Sequence, residues 1–148
     1  MLTTHWLLDH TEVSILLDNE AIYDICHKWL DLRRPSYNNL NRLVTKTISS
    51  MTASLRFGGE LNVDLNEFQT NLVPFPRLHF MITAMAPVTT VKKAETARCD
   101  VQTITESCFA AQNFFTKIAD FDAEEDKHMA ISVNYTGDVK AKEANTTV

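Results

Sequence analysis

Two carboxylates in the middle of the sequence have a spacing that suits acid–base chemistry. Asp64 and Glu67 stand three residues apart, so a helix that begins near Asp64 places both on one face. A carboxylate held near the start of a helix and pointing outward can take a proton from an attacking water, which is the task of a general base. The alternative is that both acids only favour the positive end of the helix dipole.

An aromatic ring and an amide form a second candidate pair. Tyr37 and Asn41 lie one helical turn apart and therefore face the same way. A tyrosine ring can stack on a purine, and an asparagine amide can both donate to and accept from the edge of guanine. Asn19 stands at the start of the preceding predicted helix and would bring a second amide. The alternative is a tyrosine at the edge of the core and asparagines that cap helices.

The first helix needed to position these residues is predicted over 18–30. Asp18 or Asn19 caps it, and its apolar residues recur at three and four positions to form one face. Pro35 follows the helix, and the residue before a proline is pushed out of the helical region.

A second, longer helix is predicted from Ser36 through Arg56, about 20 residues or roughly 30 Å. The paired glycines Gly58 and Gly59 end it, because one of them can adopt a positive φ without steric cost. A shorter helix over 64–72 follows and carries both carboxylates.

The rest of the sequence predicts strands and helices around an exposed loop. Continuous apolar runs indicate buried strands, and alternation of apolar and polar residues indicates half-buried ones. The predicted elements are a strand at 13–17, a strand at 78–85, an exposed loop at 87–100, a helix at 101–110, an acidic turn at 120–127, a strand at 129–135 and a helix from 139. Because His79 lies inside an apolar run, a hydrogen-bonded core histidine is favoured over a metal ligand.

The composition is that of an ordinary globular domain. Of 148 residues, 45% are hydrophobic and 22% are charged, which is enough for a real core. A formal net charge of -5 disfavours a nucleic-acid surface. No apolar run approaches the ~20 residues of a membrane span. The first residues lack the basic and then apolar order of a secretory signal.

Glycine, cysteine and histidine usage excludes several chemistries. The three glycines cannot form either GxGxxG or GxxxxGK, so a glycine-rich phosphate loop is excluded. The three cysteines have no CxxC spacing, which favours buried thiols in a reducing compartment over disulfides or zinc. No histidine pair has the spacing of a helical metal site, so the sequence predicts no metal ligands.

Two long motifs resemble the tubulin family, and its alpha subunit in particular. They are Asp18-Asn-Glu-Ala-Ile-Tyr-Asp-Ile-Cys26 and Ser54-Leu-Arg-Phe-Gly-Gly-Glu-Leu-Asn-Val-Asp-Leu-Asn-Glu-Phe-Gln-Thr-Asn-Leu-Val-Pro-Phe-Pro-Arg-Leu-His-Phe80. The resemblance is collinear from Leu2 to Val139 and covers nearly the whole chain, which is similar to the middle of a tubulin.

This resemblance implies an α/β fold with a long central helix. The helix would join the tail of a nucleotide-binding domain to a partial intermediate domain, in which helices flank a mixed sheet. The implied division is residues 1–35 for the C-terminal part of the GTP-binding domain, 36–57 for the central connecting helix and 58–148 for the partial intermediate domain.

The resemblance also implies roles for four residues. In tubulins, the counterparts of Asn19, Tyr37 and Asn41 contact guanine and its sugar. In alpha-like tubulins the counterpart of Glu67 reaches across the longitudinal interface and helps activate the water that attacks the partner's GTP, with Asp64 as a possible assistant. Beta-like tubulins have a lysine at that position, so Glu67 marks alpha character.

The implied protein is a structural constituent of microtubules in the cytoplasm and cytoskeleton. Its activity would be that of a GTPase whose catalytic glutamate acts in trans. GTP with Mg²⁺ is the implied cofactor, and a beta-tubulin-like subunit is the implied partner in the heterodimer and polymer.

Several parts of the chain depart from the family pattern. The loops that hold GTP phosphates in tubulins have no counterpart in these 148 residues, so the chain alone is expected to bind GTP weakly or not at all. The acidic segment 118–129 is longer than its family counterpart, and the loop at 87–100, which makes lateral contacts in tubulins, is largely rewritten. A second hypothesis therefore stands beside the first, a truncated, non-catalytic interaction protein.

Overall fold

The computed structural model describes residues 1–59, 62–97, 99–122 and 125–147. Within these ranges the chain combines helices with a small sheet, which confirms the α/β class. The helices are α1 (Leu2–His10), α2 (Asn19–Leu30), α3 (Tyr37–Met51), α4 (Ala53–Arg56), α5 (Leu65–Leu72), α6 (Val91–Ala94), α7 (Val101–Phe109) and α8 (Ala141–Thr147), and the strands are β1 (Ser14–Leu16) and β2 (Phe80–Ile82). None of the described helices is both long and apolar enough to cross a membrane.

Asp18 caps α2, which confirms one of the two predicted caps. Its Oδ1 accepts a hydrogen bond from the N–H of Glu20 at 2.9 Å and so satisfies a donor that the first helical turn leaves unpaired. The helix ends at Leu30, and Asp31 follows in the left-handed conformation with φ 53°. The Asp31 carboxylate lies 2.8 Å from Lys93 Nζ, so this end of α2 also holds the loop that carries α6.

Ser36 and Asn39 fix the start of α3. Asn39 Oδ1 accepts hydrogen bonds from the N–H of Ser36 at 2.9 Å and from its hydroxyl at 2.8 Å. One turn into the helix, Leu40 is buried in the same core cluster as Ile22 and Ile25 of α2. The two helices therefore meet through their apolar faces and leave their polar faces to solvent.

The long central helix is interrupted, and the prediction of one continuous helix through Arg56 is wrong. α3 ends at Met51, and α4 begins again at Ala53. Between them Thr52 has φ -91° and ψ 0°, and its hydroxyl donates to the carbonyl of Ile48 at 2.9 Å. Such a back-bond favours a bend, but Thr47 makes the same bond to the carbonyl of Leu43 at 3.1 Å inside α3, so the bond alone does not break the helix.

The end of α4 also differs from the prediction. Phe57 ends the helix in an extended conformation with φ -121°. Gly137 is the described glycine with a positive φ, and neither Gly58 nor Gly59 adopts one. The freedom of the glycine pair is therefore not what ends this helix.

A small parallel sheet joins the first half of the chain to the second. The paired residues of β1 and β2 are Ser14 with Phe80, Ile15 with Met81 and Leu16 with Ile82. The predicted strands at 13–17 and 78–85 are thus present but shorter. Just after β2, Ala84 makes an antiparallel bridge with Phe114, so the paired region is mixed, as expected.

Phe115 links three parts of the fold. Its N–H donates to the carbonyl of Thr83 at 2.8 Å, and its carbonyl accepts from the N–H of Asp18 at 2.7 Å. Its side chain is fully buried in the cluster that contains Ile22 and Ile25. This residue therefore connects the start of α2 to the end of β2.

The two residues after Phe115 make further contacts at the surface, one to β1 and one to α2. The Thr116 hydroxyl donates to the carbonyl of Leu16 at 2.8 Å. Lys117 Nζ lies 2.5 Å from the carboxylate of Asp24, and the hydrogen bond that it donates there raises the pKa of Lys117. The segment that starts at Phe115 thus contacts both β1 and α2.

The prediction of a strand at 129–135 is wrong. These residues have no assigned strand structure. A strand is completed by backbone hydrogen bonds to a neighbour, and the described sheet contains only β1 and β2. The segment instead lines an apolar cavity of about 1010 Å³, whose other walls include residues of α3, α5, β2 and α7.

Two helices lie where the sequence indicated none. α1 lies before the strand predicted at 13–17, where the sequence predicts no element, and α6 lies within the loop predicted at 87–100. Neither helix has a buried residue. Because the apolar face of a helix is the main sequence signal for it, helices without a buried face escape detection.

His79 is a hydrogen-bonded core histidine, as predicted. Its ring is fully buried and stacks on Phe80 with 4.6 Å between centroids. Nδ1 lies 2.9 Å from the carbonyl of Pro76, and Nε2 lies 3.3 Å from the hydroxyl of Thr11. Both ring nitrogens are therefore engaged within the chain.

Replacing Phe115 by alanine is expected to lower the free energy of unfolding by about 3–5 kcal/mol, because a buried ring is lost and a cavity remains. Urea denaturation followed by circular dichroism measures this change. Phe75→Ala is the matched control, since Phe75 is 59% exposed and surface substitutions stay within about 0.5 kcal/mol. Equal losses in the two variants would contradict the central place of Phe115.

Candidate functional site

Asp64 forms the start of α5. Its Oδ1 accepts a hydrogen bond from the N–H of Leu65 at 2.7 Å, and its carbonyl accepts from the N–H of Phe68 at 2.9 Å. The residue is extended, with φ -77° and ψ 156°, as expected for the position before a helix. The helix ends at Leu72, shortly before Pro74. The predicted helix over 64–72 is therefore confirmed, with Asp64 as its cap.

Glu67 is exposed and lies in the first turn of α5. An acid three residues after a helix cap often reaches back to the N–H of the cap residue and closes a capping box. Glu67 makes no hydrogen bond or ion pair of this kind with any described residue, and its carboxylate faces solvent. Its acceptor oxygens therefore remain available to a molecule outside the chain.

The packing of α5 explains why Glu67 points outward. Phe68 and Leu72 lie four residues apart on one face, are half-buried and line the large cavity. Leu65 begins the same face and is 57% exposed, and Val63, just before the helix, is 39% exposed. Exposed apolar side chains therefore lie at the start of α5, an arrangement that suits a surface covered by another molecule.

The three residues predicted to bind guanine lie in the first or second turn of a helix. Asn19 is the first residue of α2, Tyr37 is the first residue of α3, and Asn41 lies one turn further along α3. All three are exposed, and Tyr37 is 68% exposed. No hydrogen bond or ring contact joins Asn19 to Tyr37 or Asn41 among the described residues. The fold therefore leaves each side chain accessible without holding the three together directly.

The alternative roles for these residues, a tyrosine at the edge of the core and asparagines that cap helices, are not observed in the described structure. The side chain that caps α2 is Asp18, and Ser36 with Asn39 forms the start of α3, so neither Asn19 nor Asn41 serves as a cap. A tyrosine at the edge of the core would be largely covered, whereas Tyr37 is not. The sequence reasoning overlooked Asn39, although its position three residues after Ser36 is the spacing of a capping box.

The described residues do not fit a triphosphate with its metal ion. They contain no group of three His, Cys, Asp or Glu side chains that could hold a metal. Gly58 and Gly59, the one glycine pair, lie in an exposed stretch between α4 and α5. The described residues offer polar groups for a base and a carboxylate for a proton, and the glycine pair among them forms no helix N-terminus that could hold a phosphate.

Comparison with known proteins identifies the family. The model of the tubulin C-terminal domain matches residues 76–148. The Tubulin alpha-3 chain of Zea mays is 55% identical over 148 residues, which is 100% of this chain and 32% of that protein. The chain thus spans about a third of the length of this curated relative. With identity at this level along its whole length, the chain belongs to the tubulin family and is alpha-tubulin-like.

Proposed function

We propose that this chain is a segment of an alpha-tubulin-like structural subunit of microtubules, located in the cytoplasmic cytoskeleton. In this role Asn19, Tyr37 and Asn41 contact a guanine nucleotide, and Glu67 serves GTP hydrolysis on the neighbouring subunit. The observation that carries the proposal is the position of Glu67, an exposed carboxylate without a partner among the described residues, in a motif shared with alpha-tubulins.

The chemistry assigned to Glu67 is general-base catalysis in trans. A beta-tubulin-like partner holds GTP with its phosphates and Mg²⁺, and Glu67 accepts a proton from the water that attacks the γ-phosphate. A base that belongs to the next subunit reaches this water only after the two subunits stack. Hydrolysis is thereby coupled to assembly, since the isolated partner lacks the base.

The assignment of the guanine contacts rests on chemistry and exposure. The exposed Tyr37 ring offers a face on which a purine can stack. The amides of Asn19 and Asn41 each supply a donor and an acceptor, which matches the mixed edge of guanine. These contacts orient the base and are separate from those that hold the phosphates.

Replacing Glu67 by glutamine is expected to slow GTP hydrolysis within the polymer by about 10²–10⁴-fold, the usual contribution of a general base. The test uses a full-length subunit in which these 148 residues replace the matching third of the Zea mays Tubulin alpha-3 chain, assembled with beta-tubulin. Phosphate release per assembled subunit is measured. Nucleotide content should stay unchanged, because glutamine preserves size and removes only the base.

Glu12→Gln is the control for the charge change, because Glu12 is also exposed but lies outside α5. It should hydrolyse GTP at the unsubstituted rate. If Glu67→Gln polymers also release phosphate at that rate, Glu67 has no role in hydrolysis and the proposal fails.

The 148-residue chain alone is expected to bind GTP weakly, with a dissociation constant above about 1 μM. The reason is that base contacts lack the charge-assisted bonds that phosphate loops supply. Isothermal titration with GTP and Mg²⁺ measures this, and ATP serves as the control ligand. Sub-micromolar GTP binding would contradict this expectation.

A second candidate function is favoured by the exposed apolar side chains of Val63 and Leu65, which suit a surface covered by another protein. In that case the chain is a non-catalytic protein that docks on tubulin. We then expect it to co-elute with purified tubulin dimer in size-exclusion chromatography. A separate elution at micromolar concentration would rule out this candidate.

A further inference from the structure

The two carboxylates of α5 have different surroundings, although sequence spacing treats them as equals. We infer that Asp64 is a positioning residue that fixes the first turn of α5 and thereby aims Glu67, and that Asp64 takes no proton itself. This inference rests on the proposed function of Glu67 and divides the work between the two acids.

The contacts of Asp64 are directed at its own helix. Oδ1 accepts from the N–H of Leu65 at 2.7 Å, and Oδ2 lies 3.5 Å from the side-chain nitrogen of Asn66. The backbone carbonyl of Asp64 accepts from Phe68 at 2.9 Å and so closes the first turn. The shorter of the two side-chain bonds ties the Asp64 carboxylate to the first backbone N–H of α5, which is the role of a cap.

The position of Glu67 depends on this first turn. The N–H groups of the first turn have no carbonyl partners within the helix, so a side-chain cap decides whether the turn forms or frays. Glu67 belongs to that turn and has no contact of its own with described residues that would hold it. Phe68, the next residue, and Leu72, one turn later, lie against the cavity wall, so they hold the rest of α5, and the Asp64 cap completes its first turn.

A set of Asp64 variants separates positioning from proton transfer. Asparagine and serine cap helices nearly as well as aspartate but carry no charge, whereas alanine does not cap. Asp64→Asn and Asp64→Ser polymers should therefore hydrolyse GTP within about 2-fold of the unsubstituted rate. Asp64→Ala polymers should hydrolyse GTP more slowly by about 5-fold or more, because the loss of a helix cap shifts the folding equilibrium of the first turn by about this factor.

The same full-length subunit assembled with beta-tubulin is used, and phosphate release per assembled subunit is measured against pH. Asp64→Asn should leave the pH dependence of this rate unchanged, because the proposed proton acceptor, Glu67, is still present. A purely structural effect of the alanine variant on assembly would appear in the critical concentration and not in the rate per assembled subunit.

Three results overturn the inference. If Asp64→Asn and Asp64→Ser are as slow as Asp64→Ala, the charge of Asp64 is needed and the residue is part of the proton transfer. If all three match the unsubstituted rate, the cap does not position Glu67. If Glu67→Gln is itself unchanged, the proposed function fails and this inference fails with it, an outcome distinct from the first two.

Discussion

The backbone of Phe115 holds the two halves of this chain together. On one side its N–H bonds to Thr83 after β2, and on the other its carbonyl bonds to Asp18 at the start of α2. The ring fills the core between them, so the same residue satisfies backbone groups and excludes water. Because Asp18 caps α2, the placement of the first proposed guanine contact, Asn19, depends on a residue almost a hundred positions away.

The same core also determines which surfaces remain available. α2 and α3 bury Ile22, Ile25 and Leu40 against each other, and this leaves the starts of both helices exposed. α5 lies against the cavity wall through Phe68 and Leu72, and Glu67 in its first turn is exposed. The proposed site residues thus lie on polar faces that the core does not use, at the ends of helices where backbone donors are also unpaired.

Asp64 and Glu67 lie at the same end of α5 but differ in their hydrogen bonds. Glu67 has no partner among the described residues, whereas Asp64 accepts from the first N–H of the helix. The distinction is one of hydrogen bonding, because the two side chains carry the same charge and differ by one methylene. A carboxylate already bonded to its own helix stabilises structure, and a free one is available for chemistry.

Local hydrogen bonding and apolar spacing determined much of this protein. The sequence by itself predicted a cap at Asp18 or Asn19, the apolar face of α2, the helix after Asp64, the core position of His79 and the family. Each of these depends on residues within a few positions of one another, or on motifs long enough to be recognised. The residue types of the candidate site, Glu67 and Tyr37 included, were visible for the same reason.

Only the tertiary structure decided the remainder. The break at Thr52 is a backbone conformation that the apolar spacing of the helix does not reveal. The segment 129–135 has the alternation of a strand, but it pairs with neither strand of the described sheet. α1 buries no side chain and so leaves no pattern to read. Whether Glu67 would close a capping box or face solvent was likewise undetermined by spacing. Backbone pairing and side-chain exposure depend on distant parts of the chain, and local sequence does not encode where those parts will lie.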